Sequence, residues 1–354
     1  MRADALTPSQ CEAWQAFRAA RPEFAAPYFA LEFTRAMAAV RPDTWVLSLT
    51  RNGTQAGFLP LQLSRSGVAR PIGGPLGDHH AIIAEDASLD LRSALGQAGI
   101  GLFAFHGGLA GDPALASSAT SKPTPSWVSD LSNGYDALIE DCRKADAKAM
   151  RNIRARQRKL DALDATVEIR IDDRRPEALA ALIESKREQY RRTRALDVFA
   201  ARWTGRLIED LFERREPGLA GVLSTLEIDG QLAAAHFGMR SESVLHYWFP
   251  VYWPDYAHLG PGLTLYMELA RQLSEDGITQ IHLGPGEYDF KKRLSNASFD
   301  VITGQVSHPS LASAIVATGQ LVDRTAQSLP LGRFSEWPGK AFRRFDKWAA
   351  VHAF

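Results

Sequence analysis

Apolar residues recur every three or four positions in some stretches of the chain and every second position in others, and the switches between these periods mark out its elements. Thr7-Pro8-Ser9 opens a helix on which Cys11, Trp14, Phe17 and Arg18 follow at helical spacing. A second helix is expected over 28–40, with Phe29, Phe33 and Met37 on one face. Residues 44–50 alternate as a strand, Asn52-Gly53 supplies a hairpin turn, and 55–63 return. A glycine loop, the cluster Asp78-His79-His80 and a short apolar strand fill 72–86. A helix over 89–98 and a strand over 100–105 follow. The segment 117–126, SSATSKPTPS, has the composition of a linker.

Beyond it the pattern predicts a strand at 127–131 and one long helix over 135–163. Leu138, Cys142, Ala145, Ala149, Ile153 and Leu160 share its apolar face, and Lys144, Lys148, Arg151, Arg154 and Arg158 gather opposite. Arg156 falls on the apolar side, where it either snorkels or pairs with a buried carboxylate. A strand at 166–171 leads to a helix begun by Pro176 and carrying Leu179, Leu182 and Tyr190, then to a helix over 203–214. Strands at 220–228, 231–240 and 243–252, the first two joined by Asp229-Gly230, form an antiparallel meander. Gly260-Pro261-Gly262 then opens a helix with Leu263, Tyr266, Leu269 and Leu273, which Gly277 ends. A buried strand at 278–283, a second Gly-Pro-Gly at 284–286 and a strand at 299–306 follow. A strand, a glycine turn and a helix in that order aim a helix N-terminus at an anion. There is no short tandem repeat, although the two halves share a rough order of elements.

Composition narrows the function. The chain has 354 residues, enough for two ordinary cores, and its formal net charge is +0. No bulk field steers it toward nucleic acid or an acidic membrane, so recognition of anions must be local. Two cysteines, Cys11 and Cys142, suggest neither a disulfide framework nor a structural zinc site, and no metal is expected. The sequence shows no apolar leader and no run long enough to span a bilayer, so a cytoplasmic protein is expected.

The order of the second half matches the acetyltransferase fold called GNAT, and particular segments resemble one of its groups. KAMRNIRARQRKL at 148–160, YWFPVY at 247–252, YAHLGPGLTLYMELARQLSEDGI at 256–278 and HLGPGEYDFKKRL at 282–294 resemble the CelD/BcsL-type acetyltransferases of cellulose and exopolysaccharide biosynthesis. That group is related to the Fem-type transferases, which carry two GNAT-like halves, and GGPLGDHH at 73–80 resembles the loop of their first half. The sequence departs from the GNAT phosphate loop at Ala257, where the family has Gln or Arg, and Phe290-Lys291 replaces the group's Tyr-Lys pair.

The resemblance implies an α/β (α+β) fold of tandem GNAT-like domains, with mixed, mostly antiparallel sheets flanked by helices. The domains expected are 1–120, 127–308 and a helical tail at 309–354 rich in aromatic and basic residues. It implies acetyl-CoA as co-substrate, its pyrophosphate on Gly260, Gly262 and Leu263. The acceptor is an amino sugar or a sugar-linked intermediate, held by Arg151, Arg154, Arg158, Tyr247 and Lys291, with Asp78 and His79 from the first half. Amide formation needs a neutral nucleophile, hence a base or a water relay; the candidates are His236 and His246 on the meander and Glu287 or Asp289 beyond the last strand, His236 first. Two alternatives remain open. One is a Fem-type aminoacyl transferase using charged tRNA, although the net charge points to no nucleic-acid partner. The other is a degenerate GNAT scaffold that regulates by binding cyclic di-GMP. The tail, with Phe334, Trp337 and Trp348 among Arg333, Arg343 and Lys347, is a candidate for that nucleotide or for a membrane surface.

Overall fold

The computed structural model describes residues 1–86 and 89–309. It divides into two compact units: unit 1 holds Met1–Arg21, Thr34–Pro123 and the chain from Val301, and unit 2 holds Pro22–Phe33 and Thr124–Asp300. The tail candidates lie outside the described residues.

The first half of the chain supplies helices α1 (Pro8–Ala20), α2 (Leu31–Val40), α3 (Leu91–Gln97) and α4 (Pro113–Ala116), and strands β1 (Thr44–Arg51), β2 (Thr54–Leu63), β3 (Val68–Pro71) and β4 (Leu102–Leu109). A capping box between Thr7 and Gln10 starts α1. The β1–β2 hairpin turns on Asn52 and Gly53, both at positive φ, as its sequence predicts. The expected helix over 28–40 begins later, at Leu31, because Ala30 is extended after a 3₁₀ turn at Pro27–Phe29. The strand expected within 72–86 is reduced to single bridges, Phe58↔Ile83 and His80↔Gly108. A ladder is interrupted there because the Asp112 carboxylate accepts the Ile82 N–H at 2.8 Å. The chain passes from unit 1 to unit 2 within 117–126, between Pro123 and Thr124, but the segment is held in place. Thr120 N–H donates to the Thr303 carbonyl, Ala119 bridges Gly304, and β5 (Thr124–Asp130) begins within the segment.

Unit 2 continues with α5 (Tyr135–Ala145), α6 (Ala147–Asp161), β6 (Val167–Arg170), α7 (Pro176–Thr193), α8 (Arg202–Glu213), β7 (Ala220–Ile228), β8 (Gln231–Arg240) and β9 (Val244–Tyr252). It closes with α9 (Pro261–Glu275), β10 (Gln280–Pro285), α10 (Asp289–Leu294) and the start of β11 (Ala297–Ser307), whose later residues pair with β4 in unit 1. The sheet order is β5-β10-β9-β8-β7-β6, antiparallel except for β9 and β10. This is the mixed, mostly antiparallel α/β architecture that the order of elements implied.

One long helix over 135–163 is not formed. Asp146, at φ −146° and ψ 81°, breaks it in two, and its carboxylate accepts the Ala149 N–H at 2.8 Å as the cap of α6. Leu138 and Cys142 on α5, and Met150 and Ile153 on α6, still reach one core with Tyr247, Tyr266 and Leu269. Leu160 packs in a neighbouring cluster with Leu226, Leu259 and Leu265. Burying such side chains contributes about 1.5–3 kcal/mol each, and this anchors α6 against α9. Among the described residues no helix is long and apolar enough to cross a membrane.

Candidate active site

β9 and β10 separate. They pair in parallel only at Val244↔Gln280, Leu245↔Ile281 and His246↔His282, yet β9 runs on to Tyr252 and β10 to Pro285. The register supplies the reason. Phe237 faces Phe249 and Met239 faces His246, so Tyr247 and Trp248 stand opposite Gly238 alone, which is a β-bulge. Gly238 is required there because a Cβ would strike the His246 carbonyl and the His236 ring. On the other side β10 shifts register against β5 between His282 and Gly284. The residues of β9 beyond His246 therefore have no strand partner on the β10 side, and apart from Pro250, which lacks an N–H and whose carbonyl accepts from Lys186, their backbone is placed to pair with an extended polar chain.

α9 starts beside that edge. Gly260 is left-handed, at φ 67° and ψ 43°, and Pro261 in the first helical position has no N–H. The N–H groups of Leu263 and Thr264 donate to the Gly260 carbonyl at 3.2 and 3.3 Å. The Gly262 amide is thus the one left for a ligand in this turn, and the loop is a weaker anion cradle than its glycines promised.

The charge comes from another element. The Arg156 stem lies against Gly260, its Cδ 2.6 Å from where a Cβ would stand, while the residue remains exposed. Arg156 therefore snorkels, bringing to the start of α9 the cation that Ala257 does not provide. Lys148, Arg156 and Arg293, with Leu263 and Phe290, line a cleft of about 380 Å³. On the other flank of α6, Arg151, Arg154 and Arg158 line a cleft of about 720 Å³ with Tyr135, Thr264 and Met267. α6 carries six cations, Lys148, Arg151, Arg154, Arg156, Arg158 and Lys159, and none pairs with a carboxylate among the described residues. Elsewhere arginines are neutralised, as in Arg170–Glu227 at 2.6 Å and Arg175–Asp173 at 2.6 Å.

The expected catalytic residues are scattered. His236 is fully buried, stacked on Tyr247 with centroids 3.8 Å apart, and neither ring nitrogen has a hydrogen-bond partner. Burial, reinforced by His246 and Lys186, holds its pKa well below 6.5, so the ring is neutral. A base must reach its proton, and this ring is sealed. Tyr247 is itself buried against Tyr266, which removes it from direct acceptor contact. Glu287 and Asp289 are exposed past the end of β10, with Asp289 3.5 Å from Arg293. Lys291 Nζ donates to the Pro285 carbonyl at 2.7 Å and sits over the Tyr288 ring, bracing the second glycine turn.

In unit 1, His79 is buried and the Asp78 carbonyl packs on Gly107, so this pair supports its own loop. Among the described residues no three metal-ligating side chains converge. Lys186 falls in register with Leu182 and Tyr190 on the apolar face of α7.

Residues 147–292 match the acetyltransferase (GNAT) domain family. They form a GNAT acyltransferase domain. Within the GNAT domain, β9 and β10 are the strands that part, and the Gly260 turn starts α9 beside them. The chain is similar in fold to FemX, with a TM-score of 0.56 at 12% identity over 87% of this chain and 98% of that one. It is similar also to L-PGS from Bacillus licheniformis, at 0.52 and 14% over 89% and 96%. The C-terminal domain of a proposed lysylphosphatidylglycerol synthetase from Agrobacterium fabrum gives 0.50 and 12% over 83% and 91%. At these identities the likeness is one of fold. No curated protein sequence matches the chain.

Proposed function

We propose that the GNAT domain transfers an acetyl group from acetyl-CoA to an amine. The observation that carries this is the unpaired edge of β9 ending beside a helix start crowned by Arg156. The amide-bearing arm of the donor pairs with the edge beyond His246. Its pyrophosphate meets the Gly262 N–H, Arg156, Lys148 and Arg293. The segments at 148–160 and 282–294 that resemble the CelD/BcsL-type group make an amino sugar the favoured acceptor.

A second reading is favoured by α6 itself. A 15-residue helix spans about 22 Å, and six unneutralised cations along it exceed the need of one pyrophosphate. An aminoacyl-tRNA donor fits that track, and similarity to a proposed lysylphosphatidylglycerol synthetase, a name that implies aminoacyl transfer to a lipid, points the same way.

Calorimetry and gel shifts separate the two. Arg156→Glu should weaken acetyl-CoA binding by about 10–100-fold, the loss of a charge-assisted hydrogen bond. A triple variant, Arg151→Glu, Arg154→Glu and Arg158→Glu, should leave acetyl-CoA affinity nearly unchanged. Undiminished acetyl-CoA affinity in Arg156→Glu would sink the first reading. A salt-dependent shift of bulk tRNA, abolished by the triple variant, would establish the second.

A further inference from the structure

Lys186 is the polar group that the site described above leaves unused. It projects from α7 in line with Leu182 and Tyr190, half-buried, and its Nζ donates to the Pro250 carbonyl at 3.2 Å. Pro250 belongs to the part of β9 that has left β10. The amine therefore sits on the part of β9 that has no strand partner on the β10 side, with Tyr190 beside it close enough to Tyr288, at the end of β10, to feel its charge. The same corner is walled by aromatic rings. Tyr190 lies 5.6 Å from Nζ, and Phe199 stands between Tyr190 and Phe249, with centroids at 6.5 and 5.1 Å.

The charges around it are already committed. Asp197 accepts from Arg187 at 3.1 Å and from the Phe199 N–H at 3.0 Å, and Glu184 pairs with Arg191 at 3.0 Å. On β8 the facing group is His236, which is neutral. The Tyr190 hydroxyl is held protonated by burial, reinforced by Asp197 and Tyr288. Lys186 has no carboxylate partner among the described residues. Partly removed from water and given no counter-charge, its ammonium is disfavoured, and burial lowers its pKa to about 8.

We propose that Lys186 is the base of the transfer reaction, taking the proton that the attacking amine must lose. This rests on the acyl-transfer reading of the GNAT domain. The acceptor nitrogen forms a bond to the acyl carbon, the bond from that carbon to sulfur breaks, and sulfur leaves with the bonding pair. The proton shed by nitrogen moves to Lys186 Nζ and from there to the thiolate, so the amine is restored. Burial keeps the Nζ neutral enough to accept, and the aromatic wall leaves an apolar lip for the acceptor.

Two measurements test it. Competitive labelling of the full chain with trace acetic anhydride between pH 6 and 11, read by peptide mass spectrometry, reports the titration of Lys186 without any turnover. A midpoint near 8 is expected; one near the ordinary lysine value of about 10.4 overturns the proposal. The second uses acetyl-CoA and glucosamine as the probe pair in wild type, Lys186→Met and Lys186→Arg. Both variants should lose about 10²-fold or more in kcat, with little change in KM for acetyl-CoA. The rise in rate through pH 8 should disappear. Lys186→Arg keeps a donor for the Pro250 carbonyl, so a wild-type rate and pH profile in that variant would show a structural clamp and end the proposal. Failure to bind acetyl-CoA would remove the donor reading and leave the labelling result intact.

Discussion

Gly260→Ala tests the fold and the site at once. Its backbone is left-handed, which costs a residue with a Cβ about 1–2 kcal/mol. The added methyl would also stand 2.6 Å from Arg156 Cδ and 3.4 Å from Arg156 Cβ. The Cβ of Arg156 is fixed by α6, so the rest of the side chain must swing away, uncovering a methylene or two worth about 1 kcal/mol. The expected loss is about 2–3 kcal/mol, a fall in Tm of about 4–12 °C for a domain of this size. In an Arg156→Ala background the collision is absent, and Gly260→Ala should cost only its left-handed share. The double-mutant cycle in urea should therefore show about 1 kcal/mol of coupling. Acetyl-CoA affinity should fall alike in Gly260→Ala and Arg156→Ala, with no further loss in the double variant. Strictly additive stabilities, or a Gly260→Ala protein that binds acetyl-CoA like wild type, would refute the contact on which the donor site depends.

Asp146→Ala removes the cap of α6 and should cost about 1 kcal/mol, with faster hydrogen exchange at the Ala149 amide; an unchanged exchange rate would contradict the break at 146. Asp173 supplies a pH dependence. Its burial alone would raise its pKa, but hydrogen bonds from Arg175 and Thr225 bring it below 3.8. A depressed carboxylate stabilises the fold above its unfolded pKa, and that contribution is lost as pH falls from about 4 through the folded value. Acid titration of stability should show this step in wild type and lack it in Asp173→Asn.

The meander and the first hairpin were legible because their turns are spelled out. Asn52-Gly53 and Asp229-Gly230 place all four residues at positive φ, and each dipeptide names the turn it makes. The Gly260 turn was legible for the same reason. The break at Asp146 was not, because Leu138, Cys142, Ala149 and Ile153 keep helical spacing across it, and periodicity does not register one extended residue. His236 misled differently. It was a candidate base because it lies on the meander, but 233–239 of β8 are buried on both faces, so the strand offers no open side. An unbroken run of small and apolar residues around it was the available sign. Lys186 carried its own sign, a lysine where the spacing of α7 calls for an apolar residue.

Ala257 raised the question of whether a GNAT phosphate site survives in this chain, and Arg156 answers it by dividing the work between two elements. The loop provides geometry: a left-handed glycine that lets another chain approach and a helix start with one open amide. α6 provides charge. A cation on a loop can be lost without consequence for the fold, whereas one on α6 is placed by Ile153 in one core and Leu160 in the next, and by the cap at Asp146. Donor affinity therefore depends on the folding of α6 itself. Asp146 lines the same cleft as Leu263, so Asp146→Ala also removes a carboxylate that opposes an anion there, yet fraying the first turn of α6 loosens Lys148 and lets Arg156 drift from Gly260. Its effect on acetyl-CoA binding should exceed that of Lys148→Ala, which removes one cation and leaves the helix in place. The opposite order would mean that Lys148 acts as an independent point charge and that α6 is no part of the donor site.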